Sequence, residues 1–171
     1  MELNNTTHNQ ESPSELAELS NTKRPEPSAL DSIIAYRGAT VTRRKDAPMQ
    51  ATTLLDIIDE IRNSANLAAI VQRVRDAKDD KDKQNEIKKY ELPYFTLGRF
   101  KNNYLKIKNY EENRFPVFDL DKLDDKIDSV RKDLEADPTT LILFTSPGGN
   151  GLKLVCEFDS DITDGEEFRS L

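Results

Sequence analysis

Residues 115–158, FPVFDLDKLDDKIDSVRKDLEADPTTLILFTSPGGNGLKLVCEF, decide the fold class of this chain. FPVFDLD (115–121) reads as a strand, and DKLDDKIDSVRKDLEAD (121–137) spaces its apolar residues as a helix does. TLILFTS (140–146) is a continuous apolar run typical of a central strand, PGGNG predicts a turn, and LKLVCEF (152–158) alternates as a strand. The order strand, helix, strand, turn, strand predicts an α+β fold with helices packed on a mostly antiparallel sheet.

A helical preface precedes this core. TTLLDIIDEIRNS (52–64) and NLAAIVQRVRDAK (66–78) repeat apolar residues at helical spacing, and Thr53 with Asp56 predicts a capping box. The first residues are rich in Asn, Thr, Ser, Glu and Pro, a composition typical of disorder. We therefore divide the chain into three parts: a disordered tail (1–28), a linker or docking segment (29–50) with one short candidate strand, and a folded domain (51–171).

Composition excludes several functions. The net charge is −7 and the pI about 4.9, so nucleic-acid binding would need a local basic patch or a bridging metal. The one cysteine, Cys156, rules out a disulfide framework or a cysteine zinc site within the chain, and indicates a cytoplasmic, reducing compartment. The one histidine, His8, lies in the polar tail, which excludes a Ser-His-Asp triad. No apolar run reaches the roughly 20 residues of a membrane span, so no membrane partner is expected.

The basic residues of two stretches can be interpreted either as solvated surface residues or as phosphate-contacting residues. DDKDKQNEIKKYELP (79–93) predicts a solvated helix with opposite-sign pairs, and the alternative is that Lys88 and Lys89 contact phosphate. YFTLGRF (94–100) and NYLKIKNY (103–110) look extended, so Lys106 and Lys108 would share one face of a strand. We favour solvation over phosphate contact for those lysines.

Asp119 and Asp121 are the first candidates for chemistry. Residues i and i+2 of a strand point to the same face, about 6 to 7 Å apart at the backbone, so both carboxylates can converge on one ion. Hard oxygen ligands suit Mg²⁺ or Mn²⁺. The alternative is that these acids begin the next helix, with Asp121 as its N-cap.

SPGGNGLK (146–153) is the second candidate. Glycines let the backbone approach a ligand and expose N–H groups to an anion, and Lys153 points away from the apolar face of its strand. The spacing is not that of a Walker loop, and no helix follows. The alternative is a simple hairpin, with Asn150-Gly151 as its turn pair.

Three stretches in register resemble the VirE N-terminal-type domain of bacterial mobile-element and phage replication proteins. They are LPYFTLGRF (92–100), FPVFDLDKLDD (115–125) and DPTTLILFTSPGGNGLKLV (137–155). That family is in turn similar to the archaeo-eukaryotic primase and primase-polymerase superfamily, whose catalytic module has an RRM-like sheet. The resemblance therefore implies an RRM-like α+β domain that uses divalent metal and an incoming nucleotide.

By position, the resemblance implies that Asp119 and Asp121 bind Mg²⁺ or Mn²⁺ and form the catalytic set together with Lys153. The nucleotide-binding cradle that it implies comprises Ser146, Gly148, Gly149, Asn150, Gly151 and Lys153. Lys153 stands in the place of the superfamily's histidine, and Gly148 replaces a serine hydroxyl. The superfamily's third acidic residue has no confident match downstream.

Two functions follow from the resemblance. The first is a primase-polymerase-like domain that binds a nucleoside triphosphate and divalent metal in the DNA replication of a mobile element or phage, with DNA and a replication helicase as partners. If it is active, a 3′-hydroxyl attacks the α-phosphate and pyrophosphate leaves. The alternative is a catalytically inactive module that binds nucleic acid or a protein, which the missing third acid favours. An acidic mimic of nucleic acid is a third and weaker idea, because the charges are mixed in sign.

Overall fold

The structure, a computed structural model, describes residues 27–43 and 47–170. The tail predicted to be disordered (1–28) therefore lies almost entirely outside the described residues. The described helices are α1 (Pro27–Asp31), α2 (Leu54–Asn63), α3 (Ala65–Asp76), α4 (Lys81–Tyr90), α5 (Ile127–Ala136) and α6 (Gly165–Ser170). The described strands are β1 (Ile34–Gly38), β2 (Gln50–Thr53), β3 (Tyr94–Thr96), β4 (Arg99–Phe100), β5 (Tyr110–Glu112), β6 (Val117–Asp121), β7 (Thr140–Thr145) and β8 (Gly151–Cys156).

The fold is α+β with antiparallel sheets, as the sequence predicts. The stretch 115–158 forms a β-α-β-β unit whose strands lie in the order β6-β8-β7. Both outer strands run antiparallel to β8, so the crossover through α5 leaves β8 between them, which is a split β-α-β arrangement. The central strand is thus β8; the apolar run of β7, predicted to be central, lies at one end of this three-strand order.

Two further small sheets complete the fold in place of one continuous sheet. One has the order β2-β1-β3, and the other pairs β4 with β5. The middle strand β1 falls in the segment predicted to be a linker or docking segment, and it places Ala35 in the main core. The described part of residues 29–50 is therefore integrated with the sheets, while the domain boundaries at 28 and 50 stay a prediction.

The main hydrophobic core joins α2 to both three-stranded sheets. Leu54, Ile57 and Ile58 recur at helical spacing and are buried against Ala35 of β1 and Val155 of β8. The predicted capping box is present: the Thr53 hydroxyl accepts from the Asp56 N–H, and the Asp56 carboxylate accepts from the Thr53 N–H. This cap fixes the start of α2 directly after β2, so the helix is held against the sheet that precedes it.

The helices α3 and α4 pack on each other through a second core of Ile70, Val74, Ala77 and Ile87. Buried Gln84 also ties the pair together, because its Nε2 donates to the Val74 carbonyl oxygen at 3.1 Å. Within residues 79–93, α4 (Lys81–Tyr90) is therefore a predominantly solvated helix with one packed face, close to the prediction.

Two local predictions are wrong. NYLKIKNY (103–110) is not extended: short 3-10 turns cover Lys101–Asn103 and Ile107–Asn109, so Lys106 and Lys108 do not share a strand face. The helix predicted from 121 begins only at Ile127, after a 3-10 turn over Asp124–Lys126. Asp121 is the last residue of β6 rather than a helix N-cap.

No helix in the described ranges combines the length and the apolar character that crossing a bilayer requires.

Candidate functional site

A cleft of about 690 Å³ lies between the helical preface and the β6-β8-β7 sheet. That volume is within the range of small-molecule binding sites. Five of the eight predicted site residues line it: Asp119, Asp121, Ser146, Gly148 and Lys153. The remaining three do not line the cleft: Gly149 and Asn150 lie in the same turn, and Gly151 is the first residue of β8. The structure therefore brings the two motifs of the sequence to one place.

Strand register explains why the carboxylates and Lys153 meet. Asp119 and Asp121 alternate with Phe118 and Leu120, so the acids share the cleft face of β6 while the apolar pair lies on the other face. Asp119 is the cross-strand partner of Lys153, and the Lys153 Nζ lies 2.6 Å from the Asp119 Oδ2. Two residues predicted to contact a ligand thus form an ion pair with each other.

The turn between β7 and β8 is longer than a two-residue hairpin. The Ser146 N–H donates to the Gly151 carbonyl oxygen at 2.9 Å, and the Gly149 N–H donates to the Ser146 carbonyl oxygen at 2.9 Å. Gly149 has φ +83°, a conformation that favours glycine. The consecutive strands β7 and β8 do pair as an antiparallel hairpin, as that alternative predicted, but Gly151 belongs to β8, so Asn150-Gly151 is not the turn pair.

Asn150 holds the turn to the end of β6. Its Nδ2 donates to the Asp124 Oδ1 at 2.6 Å, and its Oδ1 accepts from the Asp124 N–H at 2.6 Å. Its backbone carbonyl also accepts from the Leu123 N–H. The side chain predicted for the phosphate cradle is therefore engaged in fixing the segment that follows the carboxylates.

Sequence reasoning missed two of the four cationic residues that line the cleft in the described structure. Arg37 of β1 and Arg75 of α3 line the cleft together with Lys88 of α4, for which phosphate contact was only the weaker alternative. Arg37 makes two hydrogen bonds to Glu60, at 2.5 and 2.6 Å, and these raise the pKa of its guanidinium. Arg75 stands in the last turn of its helix, where basic residues are common, so nothing in its local sequence marked it.

The other basic residues considered from the sequence lie elsewhere. Lys89 sits over the ring of Tyr90, and Lys106 over the ring of Tyr104. Lys108 is exposed, which agrees with the favoured interpretation of solvation. None of these three lysines lines the cleft.

The cleft also has an apolar side. Its apolar lining comes from α2, α3, β3 and β7, and includes Ile57, Ile61, Leu67, Val71, Phe95 and Phe144. The rings of Phe95 and Phe144 have centroids 6.3 Å apart, so the two three-stranded sheets meet at this lining. The cleft can therefore accommodate a ligand that has both an apolar and an anionic part.

The carboxylates fit a divalent cation that a ligand helps to hold. Asp119 and Asp121 are hard oxygen donors on one strand face, and Mg²⁺ is usually held by one or two carboxylates plus substrate phosphates. Over the described ranges, no group of three or more His, Cys, Asp and Glu side chains is arranged to hold a metal ion by itself. The donor set thus suits a metal shared with phosphate oxygens rather than a cage made by protein alone.

Comparison with protein families matches the C-terminal part of the chain. The family model described as BT4734-like, N-terminal domain, matches residues 87–170, just under half of the chain. That range contains both carboxylates, the glycine turn and Lys88, whereas Arg75 lies outside it. The searches of curated proteins and of solved structures give no match. The resemblance to VirE N-terminal-type domains stays a prediction.

Proposed function

We propose that the cleft binds a nucleoside triphosphate together with Mg²⁺ or Mn²⁺. The observation that carries the proposal is the composition of the lining, where two adjacent carboxylates, cationic side chains and an apolar wall face one space. Among the described residues, four cationic side chains line the cleft against three carboxylates, although the chain as a whole has a net charge of −7. An anion with an apolar part is the ligand that this local excess of positive charge favours.

Each group has a distinct part in the proposal. Asp119 and Asp121 would hold the cation, which when bound supplies neutralising charge to phosphate oxygens. Ser146 offers a hydroxyl, and Gly148 lets the phosphates approach the backbone of the turn. The apolar residues of α3 and β3 would cover the base and exclude water. Lys153 would contribute positive charge to the phosphates once it leaves Asp119.

The resemblance to VirE N-terminal-type domains extends this proposal. It adds template DNA and a replication helicase as partners, the replication of a mobile element or phage in the cytoplasm as the setting, and nucleotidyl transfer as the reaction. In that reaction a 3′-hydroxyl oxygen forms a bond to the α-phosphorus, and the bond to pyrophosphate breaks. These additions depend on the motifs of residues 92–155 alone.

Calorimetry tests the binding step. A deoxynucleoside triphosphate is titrated into the protein with Mn²⁺ and again with EDTA, and the Asp119→Asn/Asp121→Asn variant is treated in the same way. We expect binding that requires metal and disappears in the variant, because the variant keeps the size of both side chains but removes the charges that hold the cation.

A matched control removes the same charge elsewhere. Asp125 and Asp133 are exposed acids outside the cleft, so Asp125→Asn/Asp133→Asn should bind nucleotide as the wild type does. Nucleotide binding that survives in the Asp119→Asn/Asp121→Asn variant, or no binding with Mn²⁺ in the wild type, would contradict the proposal.

Binding without turnover is the second candidate function. The ion pair between Lys153 and Asp119 favours it, because one of the two predicted metal ligands is already engaged by a cation. Primer extension with a labelled DNA primer and template separates the two candidates. Extension that is lost in the Asp119→Asn/Asp121→Asn variant supports catalysis, whereas metal-dependent binding without extension supports the inactive module.

A further inference from the structure

Arg75 of α3 and Lys88 of α4 approach the glycine turn. A Cβ atom placed on Gly148 would lie 3.3 Å from the Lys88 Nζ, and one placed on Gly149 would lie 3.8 Å from the Arg75 Nε. Two cations on two different helices therefore converge on two adjacent glycines. A side chain at either glycine would enter the space that these cations face.

No acidic side chain among the described residues pairs with either cation. In the described part of the chain, the side chains of Arg75 and Lys88 make no ion pair or hydrogen bond. The other two cations of the cleft are paired, Arg37 with Glu60 and Lys153 with Asp119. Two positive charges that face the same turn repel each other. An anion bound between Arg75 and Lys88 would remove this unfavourable interaction. The unpaired positive charge of the cleft is thus concentrated over the turn.

The position of these residues at helix ends explains only part of this arrangement. Arg73 and Arg75 both lie in the last turn of α3, and Lys88 and Lys89 both lie in the last turn of α4, where positive charge is favourable. Arg73 pairs with Glu91 and Lys89 covers Tyr90, outside the cleft. The helix dipole favours a basic residue at all four positions, but it does not explain why the side chains of Arg75 and Lys88 line the cleft.

We propose that Arg75, Lys88 and the Gly148-Gly149 backbone form a polyphosphate-binding site, which receives the end of the phosphate chain remote from the nucleoside. The inference deepens the proposed function and rests on it for the identity of the ligand. Arg75 can donate two parallel hydrogen bonds to one phosphate, and Lys88 supplies a point charge. The site selects nucleoside triphosphates over monophosphates, because a triphosphate presents Arg75 and Lys88 with phosphates beyond the one nearest the nucleoside, whereas a monophosphate has none.

The test compares phosphate chain lengths. Dissociation constants for a deoxynucleoside triphosphate and the matching monophosphate are measured with Mn²⁺ in the wild type and in Arg75→Gln/Lys88→Gln. We expect the variant to lose triphosphate affinity by about tenfold or more, since each charge-assisted contact contributes on that order. Monophosphate affinity should be nearly unchanged, so the preference for the triphosphate should collapse.

Arg62→Gln/Lys89→Gln is the matched control. It removes the same two residue types from the helical preface at positions that do not line the cleft, and it should keep the wild-type preference. Thermal melting of all variants checks that they are folded. An Arg75→Gln/Lys88→Gln variant that retains the wild-type preference for the triphosphate overturns the inference.

Inorganic triphosphate in EDTA separates this site from the metal site. We expect it to bind the wild type and Asp119→Asn/Asp121→Asn, and to bind Arg75→Gln/Lys88→Gln at least about tenfold more weakly. If the wild type binds inorganic triphosphate in this way but binds no nucleotide with Mn²⁺, the proposed function fails and the anion site stands. If nucleotide binding needs the carboxylates but neither ligand responds to the loss of Arg75 and Lys88, the anion site fails alone.

Discussion

At position 151 the packing of two strands requires a glycine, although the sequence pattern suggested that this glycine contacts a ligand. A Cβ atom at this position would lie 2.5 Å from the Leu120 carbonyl oxygen and 3.2 Å from the Ser146 Oγ. The first of these is backbone of the neighbouring strand and cannot move without shifting β6. Glycine is therefore required at Gly151 by the close approach of two strands, in addition to any contact with a ligand.

Gly151→Ala should destabilise the fold by about 1 to 3 kcal/mol, because the new methyl group must push β6 away from β8. The free energy of unfolding is measured by urea denaturation. Gly148→Ala is the control, since the atom nearest its Cβ is the mobile end of Lys88, and we expect little change. Equal losses at the two positions would show that the strand contact is not the cause.

Gln84 is a second residue whose role is visible only in three dimensions. Gln84→Leu keeps the volume but leaves the buried Val74 carbonyl oxygen without its donor, so we expect a loss of about 1 to 3 kcal/mol. Chemical denaturation measures it. Gln72→Leu makes the same change where the amide donates to exposed Asp76, and it should cost much less. A similar cost at both sites would contradict a role for the buried bond.

At the scale of elements, the start of α2 is defined by three neighbouring groups. The Thr52 hydroxyl donates to the Asp56 Oδ2 at 2.7 Å, and with the bonds to Thr53 it lowers the pKa of Asp56. A carboxyl pKa that is lower in the folded state gives stability above the pKa of the unfolded chain. That stability is lost as the pH falls through the pKa of the folded state.

Thr52→Val should raise the pKa of Asp56 towards its ordinary value, because the Thr52 hydroxyl is the largest cause of the shift. An NMR titration of the Asp56 carboxyl carbon measures the change directly. Thr42→Val is a control in which another hydroxyl, remote from Asp56 in sequence, is removed. An Asp56 pKa that is the same with and without the Thr52 hydroxyl would show that the backbone N–H of Thr53 is sufficient.

The sequence predicted elements well where a local signal sets them. Helical spacing and the Thr53-Asp56 cap located α2, the apolar run located β7, and the alternation of LKLVCEF located β8. Residues 103–110 were mispredicted because alternation suggested a strand, whereas Asn102 and Asn103 adopt positive φ and turn the chain. The position of β7 at one end of the β6-β8-β7 order could not be predicted. An apolar run indicates that both faces of a strand are buried, but it does not indicate how many strands pair with it.

For the whole molecule, the segment after β8 is tied back to β5. The Tyr110 hydroxyl donates to the Ile162 carbonyl oxygen at 2.5 Å, and Asn113 and Ile162 form an antiparallel bridge. Burial, and then the negative charges of Glu167, Glu112 and Asp161, raise the pKa of Tyr110 from 10.0 to about 12. The Tyr110 phenol therefore loses its proton at a higher pH in the folded protein than in the unfolded chain.

This shift predicts a loss of stability in alkali. A raised folded-state pKa gives stability that is complete below the unfolded pKa, 10.0, and is lost as the pH rises through about 12. At neutral pH, Tyr110→Phe should cost about 1 kcal/mol through the lost hydrogen bond. As the pH rises through this window, urea unfolding should show the difference between wild type and Tyr110→Phe shrinking. A constant difference would contradict the shift.

The candidate site was predictable in part at this scale. The carboxylates and the glycine turn stood out because each has its own motif, and strand pairing brings them together. Arg37 and Arg75 were missed because they come from β1 and α3, far away in sequence, and only the packing of these elements around the cleft brings them to the same site. When a site is built from elements that are distant in sequence, any one stretch of sequence therefore predicts only the residues that this stretch contributes.

The contact between Lys153 and Asp119 has a consequence for the order in which ligands arrive. Under the proposed function, a metal ion and the Lys153 ammonium compete for the same carboxylate oxygen, so free Mn²⁺ alone should bind weakly. A phosphate that takes up the displaced ammonium removes this competition. Nucleotide and metal should therefore raise each other's affinity by the same factor, as thermodynamic linkage requires. Lys153→Gln should uncouple them, strengthening the binding of the bare ion while weakening that of the nucleotide.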